Sequence, residues 1–182
     1  DAYQQVSEVF EALGGRAPMP ALRPGAWDLV FADGLVVELD EELHFNRYRA
    51  QTLGFPWATV LPWRDAYLDY CGDYEQECLA AGKWGGKRWT TTSCESMVGT
   101  PSAPGVLAGS GGSPRWKQRA LYDAVKDIAA MHSSAFGCAG SQSGTPSVTS
   151  GCMTRSRAVP SISSSSPTSS HSARSDRRTR LD

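Results

Sequence analysis

The stretch from Trp27 to Asp40 constrains the fold more than any other part of the chain. Two apolar runs flank the dipeptide Asp33-Gly34, which is typical of a tight turn between antiparallel strands. Within each run, the side chains fall into sets that alternate along the chain, as the two faces of a strand do. The stretch therefore predicts a β-hairpin with strands near residues 26–31 and 35–40.

The register of this hairpin follows from the grouping of its apolar side chains. A loop over residues 32–34 pairs Leu29 with Val37 on a wholly apolar face and places Asp28 opposite Glu38 on the other face. A two-residue loop would instead set Asp28 among apolar side chains. Because a shift of one residue turns every side chain to the other face, the first register is expected.

Three carboxylates, those of Asp28, Glu38 and Asp40, share the second face of the predicted hairpin. Directly opposed side chains lie roughly 5 Å apart, and like charges at that distance repel. A bound divalent cation would explain the grouping, since hard cations are held by carboxylate oxygens. The alternative is a solvated face on which water weakens the repulsion. The spacing alone does not decide between the two.

Helical spacing of apolar residues predicts four helices, near residues 2–13, 41–53, 65–81 and 115–130. Asp40 has an alternative use as the N-cap of the second helix. The Gly, Pro, Ser and Thr-rich residues 90–114 are predicted to form a loop. The pattern indicates an α/β or α+β fold, in which a small mixed sheet with the hairpin at its centre is flanked by helices.

An Asp on one strand, Glu-x-Asp on the next and a His soon afterwards form a motif with a known counterpart. Over about residues 26–53, this chain resembles the restriction-endonuclease-like (PD-(D/E)xK) superfamily, especially its very-short-patch repair endonucleases and their uncharacterised relatives. The resemblance implies hydrolysis of phosphodiester bonds with Mg²⁺ or Mn²⁺. Asp28 and Glu38 would hold the metal, Asp40 would be a further ligand or would orient water, and His44 would transfer protons or support a ligand.

The match departs from the superfamily pattern in three ways. Residues 54–114 separate the hairpin from residues 115–127, the helix most like the family's next basic helix. Asp40 stands where most members have Lys, and Glu41 stands where the related branch has Gly. Because related enzymes recruit a replacement group from a later helix, Lys117 and Gln118 are candidates for the missing function. These two residues complete the predicted catalytic set.

Residues 26–130 as a whole also resemble an uncharacterised actinobacterial protein family. The segments 37–49 and 116–123 carry that resemblance. It implies no activity.

Five basic residues are candidates for nucleic-acid contacts: Arg47, Arg49, Lys83, Lys87 and Arg88. The last three lie beside Trp84 and Trp89, which could stack on bases. Two alternatives remain open. The tryptophans could anchor a solvated loop to the core, and the two helix arginines could pair with nearby carboxylates.

The charge and cysteine content limit the classes of protein considered. Residues 1–133 carry 12 Lys and Arg against 17 Asp and Glu, a net charge of −5, so no globally basic surface indicates nucleic acid. No apolar run is long enough to span a bilayer. Five irregularly spaced cysteines favour a reducing, cytoplasmic setting and buried thiols over disulfides or a zinc site.

The composition changes after His132. Residues 133–182 contain 16 Ser, no Lys, no Glu and one aromatic residue, Phe136. Such a segment buries too little apolar surface to offset its chain entropy, so we expect a disordered Ser/Arg-rich tail after a single domain of residues 1–132. A natural tail and an out-of-frame translation both fit. The second is favoured because the tail begins where another strand is expected.

These features lead to two functional hypotheses. The first is a metal-dependent nuclease that acts on DNA. The second is a catalytically inactive nucleic-acid or protein-binding module that keeps the same fold. The sequence predicts no membrane partner and does not determine an oligomeric state.

Overall fold

A computed structural model describes residues 1–32, 36–82, 86–109 and 111–132 of the chain. The predicted hairpin loop and the predicted tail lie outside these residues. The helices and strands are α1 (Ala2–Ala12), β1 (Leu29–Val30), β2 (Val36–Val37), α2 (Arg47–Leu53), α3 (Arg64–Asp73), α4 (Glu75–Gly82), α5 (Thr92–Val98) and α6 (Pro114–His132). Three short 3₁₀ turns accompany them at Glu42–His44, Pro56–Val60 and Gly86–Arg88.

Helix α6 is the element around which the other helices pack. Its apolar side chains Leu121, Val125 and Ile128 recur at helical spacing and are buried in the core. Helices α1, α2 and α5 all contact α6. A polar or charged residue on the remaining face of α6 therefore lies at the edge of the core rather than far out in solvent.

The predicted helix over residues 41–53 is two elements. The 3₁₀ turn Glu42–His44 comes first, and α2 begins after Asn46. The side chain of Asn46 accepts hydrogen bonds from the backbone N–H groups of Tyr48 and Arg49. Asp40 is therefore not the N-cap of this helix, which corrects that alternative. Asn46 replaces it because its side-chain oxygen reaches the first unpaired N–H groups of α2.

Two further helix predictions need correction. The predicted helix over 65–81 is divided at Tyr74 into α3 and α4. The predicted loop over 90–114 contains α5, which Thr91 caps through its side chain and after which Gly99 adopts a positive φ of 96°. Burial of Cys94 and Val98 stabilises α5, so tertiary packing outweighs the loop-like composition of the segment.

The two strands confirm the predicted register of the hairpin. They are antiparallel, with Leu29 paired with Val37 and Val30 paired with Val36. Each strand has two residues and is shorter than predicted. In the described part of the chain this pair is the whole sheet, so the fold is α+β and rich in helix, and the mixed sheet is not observed there.

Residues 36–38 of the second arm are buried on both faces of the hairpin, whereas residues 28–31 of the first arm are exposed. Glu38 is 5% exposed and Asp40 is 7% exposed, whereas Leu29, Phe31 and Leu39 are about half exposed. Burial of an ionised carboxylate is costly unless a partner compensates it. Burial of Glu38 and Asp40 therefore depends on charged and polar groups from other elements, which are described below.

The cysteines in the described residues match the prediction of buried thiols. Cys71, Cys78 and Cys94 are free and buried, and burial raises the pKa of the Cys78 thiol to about 12. In the same part of the chain, no helix combines the length and the apolar character that crossing a membrane requires.

Candidate functional site

Three titratable side chains from separate parts of the chain meet beside α6. Nδ1 of His44 lies 2.9 Å from Oδ2 of Asp123 and 3.5 Å from Oδ1 of Asp40. One ligand atom from each side chain lies within 4.8 Å of the other two. Asp40 follows β2, His44 ends the 3₁₀ turn, and Asp123 belongs to α6. This cluster combines carboxylate and imidazole donors, both of which ligate metals.

A fourth residue, Tyr67, holds the carboxylate of Asp40 in place. The hydroxyl of Tyr67, on α3, donates a hydrogen bond to Oδ2 of Asp40. Tyr67 is 4% exposed, and its ring is packed against Phe45 and Trp63. The bond to Oδ2 turns the other oxygen of Asp40 towards His44.

An ion pair lies next to this cluster. Oε1 of Glu38 is 2.7 Å from Nζ of Lys126, which lies on α6 close to Asp123. Nζ of Lys126 is also 5.6 Å from the centre of the Trp27 ring. Lys126 therefore compensates the buried charge of Glu38 and is part of the reason that this carboxylate can be buried.

Asp28 has a different position from the other predicted metal carboxylates. It is exposed, and its Oδ2 accepts a hydrogen bond of 2.8 Å from the backbone N–H of Leu39. This bond joins the two arms of the hairpin. Among the described residues, the possible metal-binding group contains Asp40 but neither Asp28 nor Glu38.

A cleft of about 460 Å³ opens above these side chains, between residues 21–26 and α6. Glu38, His44 and Asp123 line it. Four cations also line it: Arg23, Arg115, Arg119 and Lys126. The positive side chains surround the cluster, so the cleft suits an anionic ligand that approaches the carboxylates and the imidazole.

The two residues predicted to replace the missing Lys do not line this cleft. Lys117 is 5% exposed, and its Nζ lies 5.6 Å from the centre of the Tyr48 ring. Burial lowers the pKa of Lys117. Gln118 accepts hydrogen bonds from Arg115 and from the thiol of Cys94. Each residue of a helix turns by about 100°, which takes both side chains away from the face that carries Lys126.

The helix arginines predicted to contact nucleic acid are both paired with carboxylates. Arg49 is fully buried, and its guanidinium is 2.6 Å from Asp127. This position corrects the prediction that Arg49 contacts nucleic acid, because a fully buried guanidinium cannot reach a phosphate. Arg47 is exposed and binds both carboxylate oxygens of Glu75. Carboxylate pairing is therefore observed for both arginines, but the partners Glu75 and Asp127 lie on other helices and replace the expected pairing with Glu42 and neighbouring carboxylates three or four residues away.

The basic cluster around residues 83–89 is described only in part. Lys83 and Trp84 lie outside the described residues. Lys87 and Arg88 are exposed, whereas Trp89 is 3% exposed and donates its indole N–H to the backbone oxygen of Ser102. Trp89 is therefore an anchor in the core and is not available to stack on a base.

Sequence reasoning missed several residues of the site: Tyr67, Arg115, Arg119, Asp123 and Lys126. The four on α6 share a detectable signal. They recur at helical spacing beside the apolar stripe of α6, at positions where residues border the core. Such a polar stripe identifies a candidate face, but it does not identify the partners of that face.

Comparison with known families adds a classification. A family model matches residues 8–137, which is most of the chain. The chain belongs to DUF7255, a family of unknown function. The matched residues of this DUF7255 protein contain the hairpin, the 3₁₀ turn with His44 and α6. No curated protein matches the chain, and no solved structure does.

Proposed function

We propose that this chain is a metal-dependent hydrolase of phosphodiester bonds in DNA, with Asp40, His44 and Asp123 as the cation ligands. One observation carries the proposal. A carboxylate–imidazole–carboxylate cluster lies at a cleft that is surrounded by positive side chains. Such a cleft places a cation and a phosphate next to each other, as phosphodiester hydrolysis requires.

The two distances from His44 to the carboxylates are compatible with a shared cation. First-row divalent metals bind nitrogen and oxygen at about 2.0–2.2 Å, so neighbouring ligand atoms on one metal are roughly 3.0–3.5 Å apart. Nδ1 of His44 lies 2.9 and 3.5 Å from the two carboxylates. Because an imidazole is among the donors, the set favours Mn²⁺ over Mg²⁺.

The residues around the cluster have separate tasks in this proposal. Tyr67 holds the carboxylate of Asp40 in one orientation. Arg23 and Arg115 line the cleft, form no ion pair with a described residue, and present positive charge to the phosphate. Glu38 holds Lys126 beside the cluster. When bound, the cation neutralises charge on the scissile phosphate and lowers the pKa of attacking water.

One observation favours the rival function, an inactive binding module. Tyr67 donates to Asp40, and Lys126 pairs with Glu38. Both carboxylates are therefore compensated by the protein itself, and the hairpin can stay buried without a cation. In that case the cluster would serve the architecture of the fold.

Metal binding and cleavage separate the two functions. We expect the wild-type chain to bind Mn²⁺ in a calorimetric titration and to cleave DNA in its presence, with duplex, mismatched and single-stranded substrates tested in parallel. His44→Gln and Asp123→Asn should each remove Mn²⁺ binding and cleavage, because each removes a ligand. Asp28→Asn is the matched control, since Asp28 is exposed and outside the cluster.

Two results would oppose the proposal. Mn²⁺ binding that survives His44→Gln and Asp123→Asn would remove the cluster as the metal site. Mn²⁺ binding that is lost in these variants, but without cleavage of any DNA by the wild type, would favour the inactive module.

A further inference from the structure

A second depression adjoins the cleft on the other side of two arginines. It has a volume of about 400 Å³ and lies between the 3₁₀ turn with Glu42 and the segment with Lys87 and Arg88. Arg115 and Arg119 line both depressions. The two cavities are therefore neighbours across the first half of α6.

Positive charge is concentrated along these two depressions. Four carboxylates line them, those of Glu38, Glu41, Glu42 and Asp123, against six cations: Arg23, Lys87, Arg88, Arg115, Arg119 and Lys126. The six cations are half of the 12 Lys and Arg residues in a region, residues 1–133, whose net charge is −5. A local excess of one sign on a chain of the opposite sign creates a field that attracts an oppositely charged partner.

The carboxylates offset part of this charge, and six cations against four carboxylates leave an excess of two positive charges. Arg119 pairs with Glu41 at 3.1 Å, and Lys126 pairs with Glu38. The other four cations form no ion pair with any described residue. Arg115 donates to the neutral side chain of Gln118.

The cations on α6 form a row. At 1.5 Å per residue, Arg115, Arg119 and Lys126 extend over about 16 Å, and at 100° per residue they lie within about 40° of one face. Within a duplex each strand has one phosphate for roughly each 3.4 Å of helix axis, and the phosphates of an extended single strand are further apart, so the row spans at most about five nucleotides. The guanidinium groups also fit phosphate oxygens two at a time.

We propose that the two depressions form one binding path for a single strand of nucleic acid, which runs from Lys87 and Arg88, along Arg115 and Arg119, to Lys126 beside the metal cluster. The inference rests on the proposed function, because the path would deliver a phosphodiester to that cluster. A single strand fits better than a duplex. The side chains of His44 and Asp123 are only 16% and 8% exposed, and an extended strand can enter such a recess.

Binding measured without metal tests this path separately from cleavage. The probe is a fluorescently labelled ten-nucleotide oligothymidylate in EDTA, and its anisotropy is followed at several salt concentrations. Each phosphate contact contributes a slope of about −0.7 in log K against log salt for a single strand. We expect the double variant Arg88→Gln/Arg115→Gln to lower the magnitude of the slope by about 1.4 and to weaken binding.

The chain offers matched variants for this measurement. Arg16→Gln removes an exposed arginine that lines neither depression, and it should leave the slope unchanged. Lys87→Gln/Arg88→Gln alters only exposed side chains, so it keeps the test valid if Arg115→Gln perturbs folding. A duplex of the same length should bind more weakly than the single strand.

Several outcomes would overturn the path. An unchanged slope in both double variants would do so, as would an equal change of the slope in Arg16→Gln. Tighter binding of the duplex than of the single strand would also do so. Displacement of the oligonucleotide by polyglutamate as effective as by nucleic acid would identify an acidic polypeptide as the partner instead. Mn²⁺-dependent cleavage with an unchanged slope would defeat the path alone. Path-dependent binding without cleavage would defeat the hydrolase alone.

Discussion

Asp123 and Asp127 lie one turn apart on α6 and have opposite surroundings. Asp127 pairs with Arg49, and both side chains are at most 1% exposed. The guanidinium of Arg49 also lies over the rings of Trp63 and Tyr67, at 5.7 and 5.4 Å. Asp123 instead pairs with His44 at the cleft.

The partner and the access to solvent explain why only one of these pairs is suited to chemistry. An arginine is always protonated and offers no lone pair, so its pair with Asp127 cannot bind a metal or transfer a proton. A neutral histidine has a ring nitrogen with a lone pair that can bind either a metal ion or a proton. The same residue type on the same helix is structural in one place and a candidate ligand four residues away.

The largest expected effect compares these two aspartates directly. Asp127→Asn should lower the free energy of unfolding by about 3–5 kcal/mol, because it leaves the charge of Arg49 buried without its partner. Asp123→Asn should cost about 1 kcal/mol, the usual net value of one hydrogen bond. Urea denaturation of both variants measures the difference.

A double variant serves as the control for this comparison. Arg49→Met/Asp127→Met removes both charges together and should recover much of the stability that Asp127→Asn loses. Equal losses for Asp123→Asn and Asp127→Asn would contradict the distinction between the two pairs.

Tyr67 contacts both the Arg49–Asp127 pair and the metal cluster. Its ring faces the guanidinium of Arg49, and its hydroxyl donates a hydrogen bond to Asp40. Tyr67→Phe keeps the ring and removes the hydroxyl. We expect Mn²⁺ affinity to fall by about 10–100-fold, the usual cost of losing a group that orients a ligand. Stability should fall by about 1–3 kcal/mol, because a buried acceptor loses its donor. Calorimetric titration with unchanged Mn²⁺ affinity would show that the hydroxyl does not position Asp40 for metal.

The exposed pair of Arg47 and Glu75 gives the smallest effect and a scale for the others. The side-chain hydrogen bond from Arg47 lowers the pKa of Glu75 below 4.5. Because the folded pKa is the lower one, the pair stabilises the fold above that pH, and the contribution is lost as the pH falls through the folded pKa. Since the Arg47 side chain is 48% exposed, solvent limits the contribution to about 0.2–1 kcal/mol.

Glu75→Gln measures this contribution. Wild type and variant should differ in urea denaturation at neutral pH, and the difference should shrink as the pH falls through the lowered pKa of Glu75. A difference that persists unchanged below that pKa would mean that the pair does not act through its charge.

Parts of the fold that depend on neighbouring residues could be predicted from the sequence. The pairing of Leu29 with Val37 follows from the alternation of side chains around one loop. The apolar stripe of α6 likewise indicated a helix over 115–130, which the structure extends by one residue at the start and two at the end. Both patterns involve residues close together in the chain, where local geometry decides the outcome.

The candidate site could be predicted only in part. Asp40 and His44 are four residues apart in sequence, and both are predicted as site residues. Asp123 is 79 positions away from His44 and joins it only because α6 packs beside the hairpin. No local pattern distinguishes Asp123 from Asp127, since both lie on the same helix near the same apolar stripe.

The hairpin itself shows the division between local and tertiary control. Its turn and its side-chain alternation set which residues pair, because these depend on a few covalently connected residues. Burial of the carboxylates of the second arm was decided elsewhere, by Lys126 and Tyr67, which compensate Glu38 and Asp40 from α6 and α3. A carboxylate can be buried only where such partners exist, and their positions exist only once the helices have packed.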